Sequence, residues 1–410
     1  MSAHGKHVED LTHEQTHLPK NSGWRKVPAI GAVLAVAGIG GAFAMKGGQE
    51  QQFYFSYVTS LLFWLAIALG GYFFTLVQHA SRAGWSIVVR RLAENVMVTL
   101  PVLGILALPI FLGIHDLFHW SHEEVVAEDP MLSWKQPYLN TGDFITRGVV
   151  YITVWTVVAV LFYGWSLRQD RASDPAPLAH KMRGFAPLGL VLFGLSVTFA
   201  AIDWVMSLDP HWFSTIFGVY YFAGIVVSIH AFLAIVVVLL QRAGALRGVV
   251  TQEHYHDIGK MMFAFSVFWA YIAYSQYMLY WYASIPEETY WFAYRGHGDW
   301  LVLSLLLVFG RFAIPFVLFM SRRWKRRASS LVFWAVWMLV GQYLDMYWLV
   351  QPVLAHEHGS DQIHFGLFDV LTFVGIGGAF LAAFGWALGR APLVPMRDPR
   401  LEESLNFENF

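Results

Sequence analysis

Several long apolar stretches of this sequence contain ionisable or amide side chains, and these are the residues best able to do chemistry. The charge pattern described below defines an outer and an inner end for each stretch. Six of these residues lie toward the outer ends: Asp203, Asp345, Asp369, Gln276, Gln342 and Tyr277. Toward the inner ends lie His79, His230 and Lys260, while Arg311 is near the middle of its stretch. Charged groups in such stretches are costly and are usually functional.

This distribution suggests two half-paths for protons that meet near the middle, because histidine titrates near neutral pH and can relay protons. The alternative is that these groups pair with one another as structural polar links between helices. For Asp203 and Asp345 together, we favour a role in proton transfer.

The sequence gives little support for haem, iron–sulfur or metal cofactors bound by this chain. The sequence has no cysteine, which excludes disulfides, Cys-ligated iron–sulfur clusters, thiolate zinc sites and covalent c-type haem. A b-type haem needs two histidines at matched depth, but His79 lies at the inner boundary and His230 about 27 Å from the outer end. The spacing of His115, His119 and His122 puts the first pair on one helical face. We interpret this cluster as polar surface and predict no metal site.

The composition indicates a membrane protein. Of 410 residues, 57% are hydrophobic and 13% are charged, whereas soluble domains have roughly 25% charged residues. The 18 Trp and 18 Tyr fit rings placed at membrane interfaces. The net charge of −1 gives no indication of a nucleic-acid partner.

Ten apolar runs approach or exceed the length of about 20 residues that a spanning helix needs. They cover 27–44, 54–77, 96–114, 144–167, 185–207, 212–240, 259–283, 300–320, 330–350 and 368–388. We therefore predict an all-α integral membrane protein with a single ten-helix domain over 27–390. The first run is interpreted as an uncleaved helix rather than a signal peptide, because a long polar region precedes it and no clear A-x-A site follows.

Polar tails flank this domain at 1–26 and 391–410. The first contains His4, His7, His13 and His17, and we expect it to be disordered or interfacial. With ten crossings, 22 of the 27 Lys and Arg residues lie in the tails and in every second loop, and four lie on the opposite side. The positive-inside rule then places both termini in the cytoplasm.

The longest outer loop, 115–143, contains six acidic residues and one lysine, and the next basic residue is Arg147. We interpret it as a solvated loop, and the alternative is a docking surface for a basic partner. A short outer turn follows the fifth run, at Asp209-Pro210, a dipeptide that favours turns.

Three segments carry a family resemblance: TLVQHASRAGWSIVVRRLAEN, DWVMSLDPHWFSTIFGVY and QYLDMYWLVQP. The chain resembles the ActF-type membrane subunit of bacterial alternative complex III, a quinol:cytochrome c (electron-acceptor) oxidoreductase, within the NrfD/PsrC-like family. The resemblance extends from the second run to the tenth. It implies a bacterial inner membrane location and a core of two four-helix bundles, which the topology allows although we find no convincing sequence repeat.

The resemblance also implies partners: a multihaem cytochrome c subunit, an iron–sulfur subunit, a second NrfD-like membrane subunit, a monohaem cytochrome c, small membrane subunits, lipids and a terminal oxidase. Haem and iron–sulfur centres would belong to those partners. The expected role is a transmembrane proton path and scaffold coupled to quinol oxidation. The alternative is a quinol-oxidising subunit with its own site for menaquinone or ubiquinone. An independent transporter is a weaker alternative, because no repeated pair of broken helices is evident.

Overall fold

A computed structural model describes residues 6–409 of the chain. The protein is 78% helical, and the described residues contain no strand. Arg247 and Val250 form an isolated β-bridge. The predicted fold class is confirmed, because the chain is an all-α membrane protein.

Ten long helices dominate the structure. They are α1 Val27–Met45, α2 Glu50–Ala80, α3 Ile87–Leu112, α4 Thr141–Gln169, α5 Ala176–Trp204, α6 Phe217–Arg242, α7 Gln252–Ala283, α8 Gly298–Phe319, α9 Ala328–Glu357 and α10 Leu367–Leu388. Shorter helices cover His13–Thr16, Ile114–Leu117, Glu123–Glu128, Pro130–Lys135, Pro286–Ala293, Arg322–Arg326 and Leu401–Leu405.

Each predicted apolar run lies largely on one of the ten helices. Among the described residues, eight helices have the length and apolar composition needed to cross a membrane. Helices α7 and α9 are as long, at 32 and 30 residues, but they are more polar because Tyr, Trp, amide and charged residues interrupt their apolar positions.

Two four-helix bundles form the core. Helices α2–α5 pack as one bundle and α6–α9 as the other, and α2 contacts both α6 and α9 between them. The most apolar windows of α2 and α6 are 83% and 89% buried, whereas those of α1, α4 and α8 are 17–28% buried. The last three helices therefore present apolar surface suited to contact with lipid.

Glycines allow α1 and α10 to pack backbone against backbone. A Cβ atom at Gly38 would lie 2.6 Å from the Cα atom of Gly375, and one at Gly31 would lie 2.5 Å from the carbonyl oxygen of Gly378. Small residues permit this close approach between membrane helices. The α1–α10 pair then packs against the core through α2.

Helix α3 begins nine residues before the predicted apolar run 96–114. The apolar runs predict a loop between residues 77 and 96, and this prediction is wrong for residues 87–95, which are helical. The reason is a buried ion-pair cluster. Glu94 accepts from Arg91 Nε at 2.9 Å and lies 3.4 Å from Arg90 Nε, and Arg91 Nη2 lies 2.8 Å from Asp170. These contacts offset the cost of burying charge, so polar residues continue the helix.

The described termini meet at one end of the molecule, which we call the inner end because it is predicted to be cytoplasmic. The backbone N–H of Lys6 donates to Asn406 at 2.7 Å, and Gln15 Nε2 donates to the carbonyl of Arg247 at 2.9 Å. The backbone N–H of Leu393 donates to the carbonyl of Thr16 at 2.7 Å.

Residues 6–26 are therefore part of the folded inner end rather than a free tail. His7 Nδ1 lies 3.1 Å from Glu402, and the rings of His13 and His17 stack 3.8 Å apart. His4 lies outside the described residues.

Candidate functional site

A buried polar network joins all four helices of the second bundle. Asp345 on α9 lies 2.5 Å from Arg311 Nη1 on α8. The same carboxylate accepts from Trp269 Nε1 on α7 at 3.1 Å and from the hydroxyl of Tyr220 on α6. All four side chains are buried. We call these four residues the central network.

Arg311 also has acceptors other than Asp345. Its Nη2 donates to Gln342 Oε1 at 2.6 Å and its Nη1 to the carbonyl of Gly341 at 3.2 Å. The guanidinium lies 4.0 Å from the centre of the Trp269 ring. Residues Leu306–Ala313 of α8 form a π-helix, a geometry that is rare and often found at functional sites.

Two glycines provide space for this network. A Cβ atom at Gly224 would lie 2.6 Å from Gln342 Oε1, and one at Gly341 would lie 3.1 Å from Arg311 Cγ. The position of the arginine thus depends on small residues in α6 and α9 as well as on its charged partner.

A second network lies at the outer end of the first bundle. Arg147 on α4 binds Asp203 on α5 through two nitrogens, at 2.8 and 3.1 Å. The hydroxyl of Tyr151 donates to the same carboxylate at 2.7 Å. Asp203 is fully buried while Arg147 is 21% exposed, so this pair lies at the rim. We call these three residues the rim network.

The two networks share a topological pattern. In each bundle the arginine comes from the third helix and the aspartate from the fourth, and a tyrosine hydroxyl completes the site. Their depths differ: Asp203 is the penultimate residue of α5, whereas Asp345 lies about 18 Å from the outer end of α9 at 1.5 Å per residue. Because α9 continues to Glu357, Asp345 is near the middle of its helix rather than toward its outer end as predicted.

The inner histidines do not join these networks. His230 Nδ1 lies 2.7 Å from the carbonyl of Val226, and its ring packs against Phe74. His79 lies at the inner end of α2. Within residues 6–409 neither imidazole hydrogen-bonds to Asp203 or Asp345, and the Nε2 atoms of both histidines have no partner.

Two further candidates have local roles. Lys260 pairs with Asp257 and donates to Asn409 at 2.8 Å at the inner end. Asp369 accepts from the backbone N–H of Gly366 at 2.8 Å at the start of α10.

Two candidates on α7 lie outside both networks. Gln276 is buried and accepts from Ser214 at 2.9 Å. Tyr277 is 46% exposed on the surface of α7, so its position does not place it on a path through the bundle.

A cavity of about 170 Å³ opens near the outer end of α8 and α9. Its lining includes Trp300, Tyr347, Gln351, His358 and His364. The indole nitrogen of Trp300 and the hydroxyl of Tyr347 are buried and have no partner within the described residues. Both residues line the cavity, but these two polar atoms are enclosed by protein rather than exposed to it.

The predicted outer loop is partly helical and packs on the bundles. Trp120 is buried and donates to the carbonyl of Ser207 at 3.1 Å. His119 Nε2 lies 2.7 Å from Glu357, and this hydrogen bond raises the pKa of His119. A hydrogen bond from His211 lowers the pKa of Asp129.

Across residues 6–409, no group of three or more His, Cys, Asp or Glu residues is placed to hold a metal ion.

Sequence reasoning missed the partners in both networks. Tyr151, Tyr220 and Trp269 look like ordinary membrane aromatics, and Arg147 was assigned to the outer side. A usable signal existed for Arg147, because it lies three residues inside a predicted apolar run.

Comparison with protein-family models finds no matching family, and comparison with curated proteins finds no matching relative.

Proposed function

We propose that this chain is a proton-conducting and scaffolding membrane subunit of a quinol:cytochrome c oxidoreductase of the alternative complex III type, in a bacterial inner membrane. The observation that supports proton transfer is the buried contact between Asp345 and Arg311 at the centre of the second bundle. The assignment to this complex, with its cytochrome and iron–sulfur partners, rests on the resemblance of the three quoted segments.

The contacts of Arg311 suggest how a proton could pass. When Asp345 is ionised, it holds the guanidinium directly. When a proton binds Asp345, this attraction is lost, but Gln342 and the Gly341 carbonyl remain as acceptors for Arg311. Arg311 thus keeps two of its three acceptors when Asp345 is neutral, which lowers the cost of that state at this depth. In this proposal Tyr220, whose hydroxyl donates to Asp345, carries the proton to or from the carboxylate.

The test is proton release per electron in vesicles containing the assembled complex with Asp345→Asn or Asp203→Asn in this subunit. We expect Asp345→Asn to lower the ratio or to slow quinol turnover, because the buried carboxylate no longer accepts a proton. Asp361→Asn is the matched control, since Asp361 is exposed and forms no ion pair within residues 6–409.

Loss of the ion pair also weakens the fold, so Tyr220→Phe is a milder second variant that retains the charges. If both Asn variants and Tyr220→Phe assemble normally and leave proton release and turnover unchanged, the proposed proton path is wrong.

A second candidate function is quinol binding by this chain. It is favoured by the outer cavity, which is lined by Trp300 and Tyr347. A small rotation would turn their unpartnered donors toward the oxygens of a bound quinone. Binding of a quinone analogue to the purified chain should then weaken in Tyr347→Phe and remain unchanged in Tyr271→Phe, an exposed control. Equal binding by both variants would contradict this second function.

A further inference from the structure

A small cationic cavity lies at the inner end of the first bundle. Its volume is about 120 Å³, and it is bounded by the end of α2, the start of α5 and the C-terminal tail. Six of the side chains that line it are basic: His79, Arg82, Arg90, His180, Arg183 and Arg400. Asp398 is the one carboxylate among its lining residues.

The carboxylate is already neutralised. Asp398 lies 2.5 Å from Arg90 Nη2, and Arg400 pairs with Glu403. In contrast, the side chains of Arg82 and Arg183 form no hydrogen bond or ion pair with any described residue. The cavity thus retains two uncompensated guanidinium groups.

His79 adds a buried donor or acceptor that lacks a partner. Its side chain is 7% exposed, it lines the cavity, and its Nε2 atom has no hydrogen-bond partner among residues 6–409. A buried polar atom without a partner is costly. The imidazole therefore forms part of the cavity wall, with its Nε2 atom enclosed by protein.

We propose that this cavity binds a phosphate group at the inner surface of the membrane, through Arg82 and Arg183, against a wall that includes His79. Guanidinium groups bind phosphate oxygens through paired, charge-assisted hydrogen bonds. Ala176, the first residue of the 29-residue helix α5, also lines the cavity, and its backbone N–H already donates to the Asp174 carboxylate at 3.0 Å.

The backbone around Arg82 holds this residue at the cavity. Its φ angle of +53° is in the left-handed region, which residues other than glycine rarely adopt. The side chain of Arg400 donates to the Arg82 carbonyl and so ties this turn to the C-terminal tail. The site is thus assembled from three separate parts of the chain.

The phosphate has two sources, a phospholipid headgroup and free phosphate. Native mass spectrometry of the full-length chain in detergent distinguishes them, by titration with phosphatidylglycerol, phosphatidylcholine and inorganic phosphate in turn. The test variant is Arg82→Gln/Arg183→Gln. The matched control is Arg168→Gln/Arg171→Gln, which removes two exposed arginines on the same side of the membrane that lie outside the cavity.

We expect the test variant to bind phosphate-bearing probes at least about tenfold more weakly than the wild type, because two charged hydrogen-bonding groups are lost. The control should bind like the wild type. Since Arg82 and Arg183 are not buried, both proteins should remain folded, which size-exclusion chromatography checks. Arg82→Lys/Arg183→Lys, which keeps the charge, should recover part of the affinity.

Preferential loss of phosphatidylglycerol binding in the test variant supports a lipid phosphate as the ligand. Loss of inorganic phosphate binding supports a soluble anion at the same site. If the test and control variants bind all three probes equally, or if the wild type binds none of them, the proposal is overturned. None of these outcomes depends on quinol oxidation or on the proton path.

Discussion

Arg311 and Asp345 form an ion pair between the third and fourth helices of the second bundle, with Nη1 and Oδ2 2.5 Å apart and both side chains at most 3% exposed. A buried pair of this kind contributes little net stability compared with apolar side chains, but removing one partner leaves a buried charge uncompensated. The pair is therefore sensitive to single substitutions and tolerant of paired ones.

Asp345→Asn and Arg311→Met should each lower the free energy of unfolding by about 3–5 kcal/mol. The double variant Asp345→Leu/Arg311→Met should lose less than either single variant, because no charge remains buried. Denaturation of the purified chain in detergent, followed by tryptophan fluorescence, measures all three. Single variants as stable as the wild type would show that the pair is hydrated or mobile in solution.

The partnerships in the central and rim networks could not be found from sequence. Tyr220 and Asp345 are 125 positions apart, and Arg147 and Asp203 are 56 apart, so only the packing of helices brings them together. Apolar run length, in contrast, is a local property, and it predicted where the long helices lie. It also located Asp203, Asp345 and Arg311 as polar positions within those helices.

The prediction of helix ends from hydropathy was wrong where buried charges compensate one another. Residues 87–95 were interpreted as loop because they contain Arg90, Arg91 and Glu94, but these side chains pair and remain buried within α3. A window that averages hydropathy counts each charge as exposed, and it has no information about a partner such as Asp170 on another helix.

The contact between α1 and α10 predicts a strong difference between two neighbouring glycines. Gly38→Ala should destabilise the protein by about 1–3 kcal/mol, because overpacking forces the backbones apart. A Cβ atom there would lie 2.6 Å from three backbone atoms of α10. Gly40→Ala is the control, because a Cβ atom at Gly40 meets no atom within 4 Å. The melting temperatures of the two variants provide the comparison, and equal values would argue against close packing of these helices.

The ion pair between Arg90 and Asp398 predicts how the C-terminal tail is held. Burial alone would raise the pKa of Asp398, but the charge and hydrogen bond of Arg90 outweigh it, so the pKa lies below its usual value. Asp398→Asn should leave Arg90 with Glu94 alone, weaken docking of the tail and speed its cleavage by protease. Glu408→Gln, in the same tail, is an exposed residue without an ion pair in the described chain and should be cleaved like the wild type.

The hydrogen bond between His119 and Glu357 predicts a pH dependence at the outer end of α9. This bond raises the pKa of His119 above its value in the unfolded chain, so the folded state binds the proton more tightly. The resulting stabilisation is complete below the unfolded pKa and is lost as pH rises through the folded pKa. The melting temperature advantage of the wild type over His119→Gln should therefore shrink between about pH 5.5 and pH 8.5, on either side of the ordinary histidine pKa. His297→Gln is the control, because His297 is exposed and has no carboxylate partner among residues 6–409. An advantage of the wild type that grows with pH would reverse the sign and contradict a protonated His119 in this contact.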